Sequence, residues 1–93
     1  MRPEVWEELG ETGIKTLLAL LELGGEGDYI RVASQARIGK SSWQRLSSVL
    51  TKYGLVEYRA EAGKRGQLFV MRLTPKGFEV ARLLAEAERR ITG

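Results

Sequence analysis

The chain has 93 residues, a formal net charge of +3 and 43% hydrophobic residues, a composition typical of one small globular unit. It contains no cysteine and no histidine, which excludes disulfide frameworks, thiolate zinc sites, cysteine nucleophiles and the usual general base of enzymes. The chain has no Walker-type glycine loop, and its longest apolar run, residues 17–21, is far shorter than the ~20 residues of a membrane span. We therefore expect a cytoplasmic protein that is not an enzyme and that needs no metal or cofactor.

Charge is distributed unevenly along the chain. Residues 1–28 carry two cationic and seven acidic side chains, whereas residues 29–76 carry ten cationic and two acidic side chains. A concentration of positive charge in the middle of a chain is typical of a surface that binds a polyanion. Asparagine is absent and charged residues reach 29%, a composition found in proteins of archaeal and other thermophilic organisms.

Two amphipathic segments are predicted in the acidic first part of the chain. Residues 3–9 have the spacing of a short helix, whose Trp6 is either a lid on the core or a dimer contact. Residues 12–23 form a stronger helical pattern with Thr12 as its N-cap, and a glycine-rich turn over residues 24–27 ends it.

A second helix is predicted over residues 30–36. Its apolar spacing places Ile30, Ala33 and Ala36 toward the core. A tight turn follows, in which Gly39 is expected to supply a positive φ angle.

The third helix, over residues 41–53, separates into two stripes. Its apolar stripe consists of Trp43, Leu46, Leu50 and Tyr53, and the opposite stripe consists of Ser41, Gln44, Arg45, Ser48 and Lys52. A solvent-exposed helix usually mixes acidic with basic residues, but this segment contains no acidic residue. Such a surface suits the groove of a nucleic acid, where the surrounding backbone charges are negative. Ser41 and Gln44 also match a capping box at the start of the helix, and Gly54 is expected to end it.

After Gly54 the apolar period changes from 3.6 to 2. Residues 55–59 and 68–73 are predicted to be strands, joined by a basic loop over residues 60–67. A last helix starts at Thr74-Pro75 and continues to about residue 91, with an apolar arc wide enough to pair with a second subunit. The aromatic residues of these segments are expected in the core because they fall at buried periods: Trp43, Tyr53, Tyr58 and Phe69.

This order of elements resembles the winged helix-turn-helix domain, and most closely the MarR-type transcriptional regulators, with PadR-type and archaeal relatives close behind. Three motifs match. The first is Val32-Ala33 in the second helix. The second is Ser41-Ser42-Trp43-Gln44-Arg45-Leu46, which leads to Leu50 and Gly54-Leu55-Val56, and the third is Leu73-Thr74-Pro75-Lys76-Gly77 at the start of the last helix. The resemblance implies an α+β fold with a three-helix core, a two-stranded β-hairpin wing and a C-terminal helix. Three features differ from the family pattern: the Asp-Arg-Arg run of the wing is missing, Trp43 replaces a small aliphatic residue, and the flanking dimerisation helices are abbreviated.

The resemblance also implies roles for individual residues. The third helix would enter the major groove of double-stranded DNA and the wing would lie on the adjacent minor groove or its phosphates. Residues expected to contact bases are Ser41, Ser42, Gln44, Arg45 and Ser48. Residues expected to contact the backbone, directly or through the wing, are Arg31, Arg37, Lys40, Lys52, Arg59, Lys64 and Arg65.

The interpretation is therefore a single winged helix-turn-helix domain over residues 1–93, with an acidic segment (1–11), a core and wing (12–73) and a C-terminal helix (74–92). Its expected function is that of a sequence-specific, homodimeric transcriptional regulator. An architectural or partition-type DNA-binding protein and a winged-helix protein-interaction module are the alternatives. The residues identify no small-molecule effector.

Overall fold

The computed structural model describes residues 3–63 and 66–93. Within these ranges the chain forms, in order, α1 (Pro3–Glu22), β1 (Glu26–Asp28), α2 (Tyr29–Ala36), α3 (Lys40–Lys52), β2 (Val56–Gly63), β3 (Gly66–Leu73) and α4 (Pro75–Thr92). The α+β architecture expected for a winged helix is confirmed. No helix in these ranges combines the length and the apolar character that a membrane-spanning helix requires.

Helix α1 is interrupted at Gly10, whose φ of 61° and ψ of −174° are not helical. Glycine adopts this conformation readily because it has no Cβ, so the residue provides a break between two helical segments. The predicted short helix over residues 3–9 is confirmed. The N-cap assigned to Thr12 is wrong, since the break lies at Gly10 and Thr12 is inside the following helical turn, where its carbonyl accepts a hydrogen bond from Thr16 Oγ1 at 2.7 Å.

The turn between α2 and α3 differs from the prediction. Its left-handed residue is Arg37, with a φ of 58°, and not Gly39, which has a φ of −86°. Gly39 is the N-cap of α3, and this cap makes no side-chain hydrogen bond, so the predicted capping box of Ser41 and Gln44 is wrong. The other end of α3 is as expected, because Gly54 follows the helix with a φ of 69°.

The two predicted strands pair antiparallel as β2 and β3, from Val56 opposite Leu73 to Gly63 opposite Gly66. The strands are longer than expected, because residues 60–63 and 66–67 of the predicted loop belong to them. Strand β1 pairs antiparallel with the other edge of β3, so the sheet has the order β1-β3-β2. Gly27 therefore lies in a strand and not in the predicted turn. Three residues without apolar alternation carry no strand signal in the sequence, which explains why β1 was not predicted.

The core lies between the helices and the sheet. Its fully buried large side chains come from every layer: Leu17 and Leu20 of α1, Val32 of α2, Leu46 and Leu50 of α3, and Met71 of β3. Leu55, Val56, Leu73 and Ala81 complete the contact between the sheet and α4. Burial of these side chains is the main favourable contribution to folding.

Two apolar residues that were expected in the core are exposed. Ile30 is 74% exposed, because α2 turns Val32, Ala33 and Ala36 inward and residue 30 projects from another side of the helix. Phe69 is 58% exposed, although it is followed on β3 by the buried Val70 and Met71. Ile30 and Phe69 lie in the same region of the surface, beside the N-terminus of α3.

The Leu-Thr-Pro-Lys-Gly motif joins the sheet to α4. The Thr74 hydroxyl caps the helix by accepting a hydrogen bond from the Gly77 amide at 3.0 Å and donates to the Gly54 carbonyl at 2.6 Å. Lys76 Nζ donates to the Tyr53 carbonyl at 2.8 Å. Gly77 packs so closely on Leu55 that a Cβ atom at this position would lie 1.9 Å from the Leu55 carbonyl oxygen. The glycine is therefore required by close approach of two backbones.

Gly77→Ala is expected to destabilise the protein by about 1–3 kcal/mol, because the methyl group forces α4 away from the end of α3 and the start of β2. Urea denaturation gives the free energy of unfolding. Gly39→Ala is the matched control, because its Cβ would meet no atom within 4 Å, and its cost is expected to stay below about 1 kcal/mol. Equal stability of the two variants would contradict the packing described for Gly77.

Candidate nucleic-acid interface

Helix α3 has one buried side and one exposed side, as the two stripes predicted. Leu46 and Leu50 are fully buried and Val49 is 9% exposed. The exposed side chains are those of Lys40, Ser41, Gln44, Arg45, Ser48, Thr51 and Lys52, whereas Ser42 is half-buried. This surface contains hydroxyl, amide and cationic groups and no carboxylate of its own helix, so it can offer many hydrogen-bond donors to an anionic partner.

An aromatic cluster fixes the N-terminal half of α3. The Trp43 ring meets the edge of Tyr29 at a centroid distance of 5.0 Å and the edge of Tyr58 at 6.4 Å. The Tyr58 hydroxyl is hydrogen-bonded to Ser47, which donates to the Trp43 carbonyl at 2.7 Å. Trp43 thus bridges α2, α3 and β2. Burial raises the pKa of Tyr58, and its phenol remains a neutral donor.

The C-terminal half of α3 contacts the acidic α1. Lys52 Nζ lies 2.9 and 3.1 Å from the two carboxylate oxygens of Glu8, and the Tyr53 hydroxyl donates to the same carboxylate. Arg45 Nη1 donates to the Glu8 backbone carbonyl at 2.7 Å, and Arg45 Nη2 donates to Thr12 Oγ1 at 3.1 Å. We call Glu8, Arg45, Lys52 and Tyr53 the Glu8 cluster.

The hydrogen bonds of the Glu8 cluster shift the pKa values of Glu8, Lys52 and Tyr53. The Tyr53 hydrogen bond, followed by the Lys52 hydrogen bond, lowers the pKa of the Glu8 carboxyl. The same contacts raise the pKa of Lys52 and of Tyr53, because the Glu8 carboxylate favours their protonated forms. At neutral pH the cluster therefore holds a carboxylate, an ammonium group and a neutral phenol.

The structure places the expected contact residues in three groups. Ser41, Gln44 and Ser48 are exposed on α3, and Arg45 is exposed but bound to α1. The cations Arg31, Arg37 and Lys40 are exposed near the ends of α2 and α3, and Arg59 of β2 lies 3.7 Å from Glu26. Lys64 and Arg65 of the wing lie outside the described residues.

A cleft of about 720 Å³ lies beside the N-terminus of α3. It is lined by Asp28, Tyr29, Ile30, Lys40, Ser41, Trp43, Gln44 and Phe69. Its exposed apolar residues, Ile30 and Phe69, are the two that the sequence placed in the core. The cleft joins residues of four elements, β1, α2, α3 and β3, so no local pattern in the sequence could have indicated it. No group of three or more potential metal ligands occurs in the part of the chain that the structure describes.

Sequence reasoning also missed the contacts of Glu8 with Lys52 and Tyr53. Tyr53 was assigned to the core from its spacing, and it is half-buried, but its hydroxyl reaches the edge of the exposed surface of α3. Glu8 was one of several acidic residues at the start of the chain. Its contacts with residues 52 and 53 join distant parts of the sequence, which local periodicity does not report.

The Tyr53→Phe variant is expected to raise the pKa of Glu8 toward its usual range, because it removes the hydrogen bond that lowers this pKa most. A carbon-detected NMR titration of the Glu8 carboxyl group measures the effect. Tyr58→Phe is the matched control, because the Tyr58 hydroxyl is bonded to Ser47 and not to Glu8. An unchanged Glu8 titration in Tyr53→Phe would contradict the geometry of the cluster.

Comparison with known proteins identifies the fold. Neither a family model nor a curated protein sequence matches the chain. The structure is similar to the PcaV transcriptional regulator of Streptomyces coelicolor, which was crystallised with its natural ligand, with a TM-score of 0.74 and 25% identity over 94% of this chain and 64% of that protein. A MarR family regulator from Silicibacter pomeroyi gives a TM-score of 0.71 and 22% identity over 94% of this chain and 63% of that protein.

A third similar structure is a DNA-binding protein from Sulfolobus solfataricus, with a TM-score of 0.66 and 18% identity over 82% of this chain and 77% of that protein. The chain spans less than two thirds of the length of the two regulators reported above. These similarities extend over nearly the whole described structure and agree with the resemblance found in the sequence. The chain has the winged helix-turn-helix fold of MarR-family and other transcriptional regulators.

Proposed function

We propose that the protein is a sequence-specific transcriptional regulator that binds double-stranded DNA through the exposed surface of α3. The observation that carries the proposal is the composition of this surface, which presents serine, glutamine, arginine and lysine side chains and no acidic residue of α3. The winged helix-turn-helix fold and its similarity to structures of transcriptional regulators support it.

Helix α3 is the element that would enter the major groove, which is about 12 Å wide and admits one α-helix. Ser41 and Gln44 lie in its first two turns, where recognition helices approach base edges. Gln44 has the donor and acceptor pair that recognises adenine N6 and N7, and Ser48 follows one turn later on the same side. The half-buried Ser42 is better placed for a phosphate than for a base.

Arg45 is the strongest candidate for reading a guanine, because a guanidinium group can bridge guanine O6 and N7. In the free protein its guanidinium is bound to α1. Base contact therefore requires Arg45 to exchange its hydrogen bonds to Glu8 and Thr12 for hydrogen bonds to DNA. The exchange involves an exposed side chain, so it needs no unfolding of the core.

The remaining cations would bind the DNA backbone and set the register of α3. Arg31, Arg37 and Lys40 belong to α2 and to the two ends of the turn before α3, and Lys52 belongs to the last turn of α3. Arg59, Lys64 and Arg65 belong to the hairpin, which we assign to the adjacent minor groove or its phosphates. Phosphate contacts supply affinity that falls as salt rises, and base contacts supply specificity.

We further propose that the regulator is a homodimer paired through α4. Leu83 is 63% exposed and Ile91 is 84% exposed, and both lie on this helix, outside the intramolecular core. A second copy would cover them, and the mixed charges of α4 could pair across a two-fold axis. Such a dimer would recognise two half-sites about one helical turn apart.

A second candidate function is an architectural DNA-binding protein with little base readout. Similarity to the Sulfolobus solfataricus protein, whose structure is described only as that of a DNA-binding protein, keeps this candidate open. A large difference in affinity between one natural site and random DNA would exclude this candidate.

Arg45→Ala is expected to cost about 1–3 kcal/mol on the natural site and to relax preference at one base pair. The combined change Lys64→Ala and Arg65→Ala is expected to weaken binding to all DNA similarly, with a smaller salt dependence by about one phosphate contact for each residue. Lys15→Ala, which removes a cation of α1 outside the assigned interface, is the matched control. The measurement is a salt-titrated binding assay on the DNA upstream of the protein's own gene and on a scrambled duplex.

If both variants bind these duplexes as tightly as the unmodified protein does, the assigned interface is wrong. If the unmodified protein binds the two duplexes equally but loses affinity with salt, the architectural function is correct instead. Absence of any salt-dependent binding would contradict both functions.

Leu83→Glu is expected to weaken dimerisation by more than about tenfold, because it places a carboxylate in the apolar contact between two α4 helices. Sedimentation equilibrium gives the dissociation constant of the dimer. Ile30→Glu is the matched control, because it makes the same change at an exposed apolar residue that lies on α2. A monomeric unmodified protein, or equal effects of both variants, would contradict pairing through α4.

A further inference from the structure

The donors around Glu8 have the composition of an oxyanion-binding site. The Lys52 ammonium group, the Tyr53 hydroxyl and the Arg45 guanidinium all bind Glu8, the first two through its carboxylate and the third through its backbone carbonyl. Ammonium, guanidinium and phenolic hydroxyl groups are the donors that also bind phosphate oxygens. The carboxylate therefore occupies a position in which a phosphate group would find Lys52 and Tyr53 as its partners.

We propose that Lys52 and Tyr53 form a binding site for one phosphate of the DNA backbone, and that the Glu8 carboxylate is a built-in competitor for it. The inference rests on the proposed function and extends it in two ways. It adds Tyr53 to the residues that contact DNA, and it makes the N-terminal segment a regulator of DNA affinity.

The position of the site on α3 favours a backbone phosphate over a base. Lys52 is the last residue of the helix and Tyr53 is its C-cap, whereas the residues assigned to base contact begin near its N-terminus. A recognition helix contacts bases mainly through its N-terminal part, and its far end lies closer to the phosphates. Arg45 joins the two regions, because its guanidinium is held at the Glu8 cluster while its backbone belongs to the base-contacting half.

Three features allow Glu8 to leave the site. The segment that carries Glu8 is joined to the rest of α1 at the non-helical Gly10. The Lys52 side chain is 60% exposed, and an ion pair with this exposure contributes little to stability. In addition, the indole nitrogen of Trp6, in the same segment, is buried without a hydrogen-bond acceptor among the described protein atoms. The docked position of the segment thus leaves one of its own polar groups unsatisfied.

Binding of DNA would exchange the Glu8 carboxylate for a phosphate oxygen at Lys52 and Tyr53 and would free Arg45 to reach the groove. Until that exchange, Glu8 neutralises one cation of the surface and holds a second one away from DNA. The protein would therefore bind DNA less tightly than its cations permit.

The test compares Glu8→Gln with Glu7→Gln, which makes the same change of net charge at an exposed neighbour in the same segment. Affinity for a fluorescein-labelled duplex of the upstream DNA is measured from about 50 to 200 mM salt, a range in which phosphate contacts are resolved. We expect Glu8→Gln to bind roughly 2- to 5-fold more tightly than Glu7→Gln, the range that corresponds to one exposed ion pair. The two plots of log affinity against log salt should have nearly the same slope, because both variants make the phosphate contact once DNA is bound.

A second comparison shows whether the effect passes through the proposed phosphate site. In a Lys52→Gln background the change Glu8→Gln should lose most of its effect, because the cation for which carboxylate and phosphate compete is gone. Tyr53→Phe should weaken DNA binding without changing the salt dependence, since it removes a neutral donor. Circular dichroism of each variant verifies that the fold is retained.

The outcomes separate this inference from the proposed function. If all variants bind DNA with the usual loss of affinity at high salt, but Glu8→Gln equals Glu7→Gln or binds more weakly, then Glu8 positions Lys52 and Arg45 and does not compete with DNA. That result overturns the inference and leaves the proposed function intact. If neither the unmodified protein nor any variant shows salt-dependent DNA binding, both are overturned.

Discussion

The division of α3 into a buried and an exposed side is the constraint on which the rest of the structure depends. Leu46 and Leu50 have no solvent exposure, and their burial against α1 and the sheet fixes the rotation of the helix about its axis. The apolar and polar stripes lie on opposite sides of α3. Burial of the apolar stripe therefore exposes the serine, glutamine and cationic side chains together. The exposed surface is therefore a consequence of the core.

Charges of both signs lie next to the exposed surface of α3. The turn before α3 has the exposed cations Arg37 and Lys40 at its two ends, while α1 brings the Glu8 carboxylate against the C-terminal end of α3. A helix that gathers positive charge without a counter-ion would repel itself, and an acidic neighbour relieves that repulsion in the free protein. In the proposed function the same neighbour would be displaced when DNA binds, and its displacement would lower the affinity for DNA.

The main elements could be predicted because their signals are local. Periods of 3.6 and 2 identify α3 and the hairpin, and the Thr74-Pro75 pair identifies the start of α4. The errors arose where local pattern is weak or misleading: the three-residue β1, the capping of α3, and the exposure of Ile30 and Phe69. An apolar residue near a helix start or a hairpin tip follows the period of its element, but its burial depends on what the rest of the fold places above it.

Less of the candidate DNA-binding site than of the fold could be predicted from the sequence. The polar stripe of α3 follows from spacing alone, whereas the Glu8 cluster depends on a contact between residues 44 positions apart. Nothing near Glu8 distinguishes it from the other glutamates of the first helix. The apolar cleft could not be predicted from local pattern either. Trp43 and Phe69 line the same cleft only after the sheet and α3 have packed.

The most direct measurement of the central claim is NMR mapping of the DNA-binding surface. The isotope-labelled protein is titrated with the upstream duplex, and amide and side-chain shifts are followed at low and high salt. The account predicts that the largest changes lie on the exposed side of α3, on the hairpin and at Glu8, and that they diminish as salt rises. Changes confined to α4, or the absence of changes on α3 at saturating DNA, would contradict it.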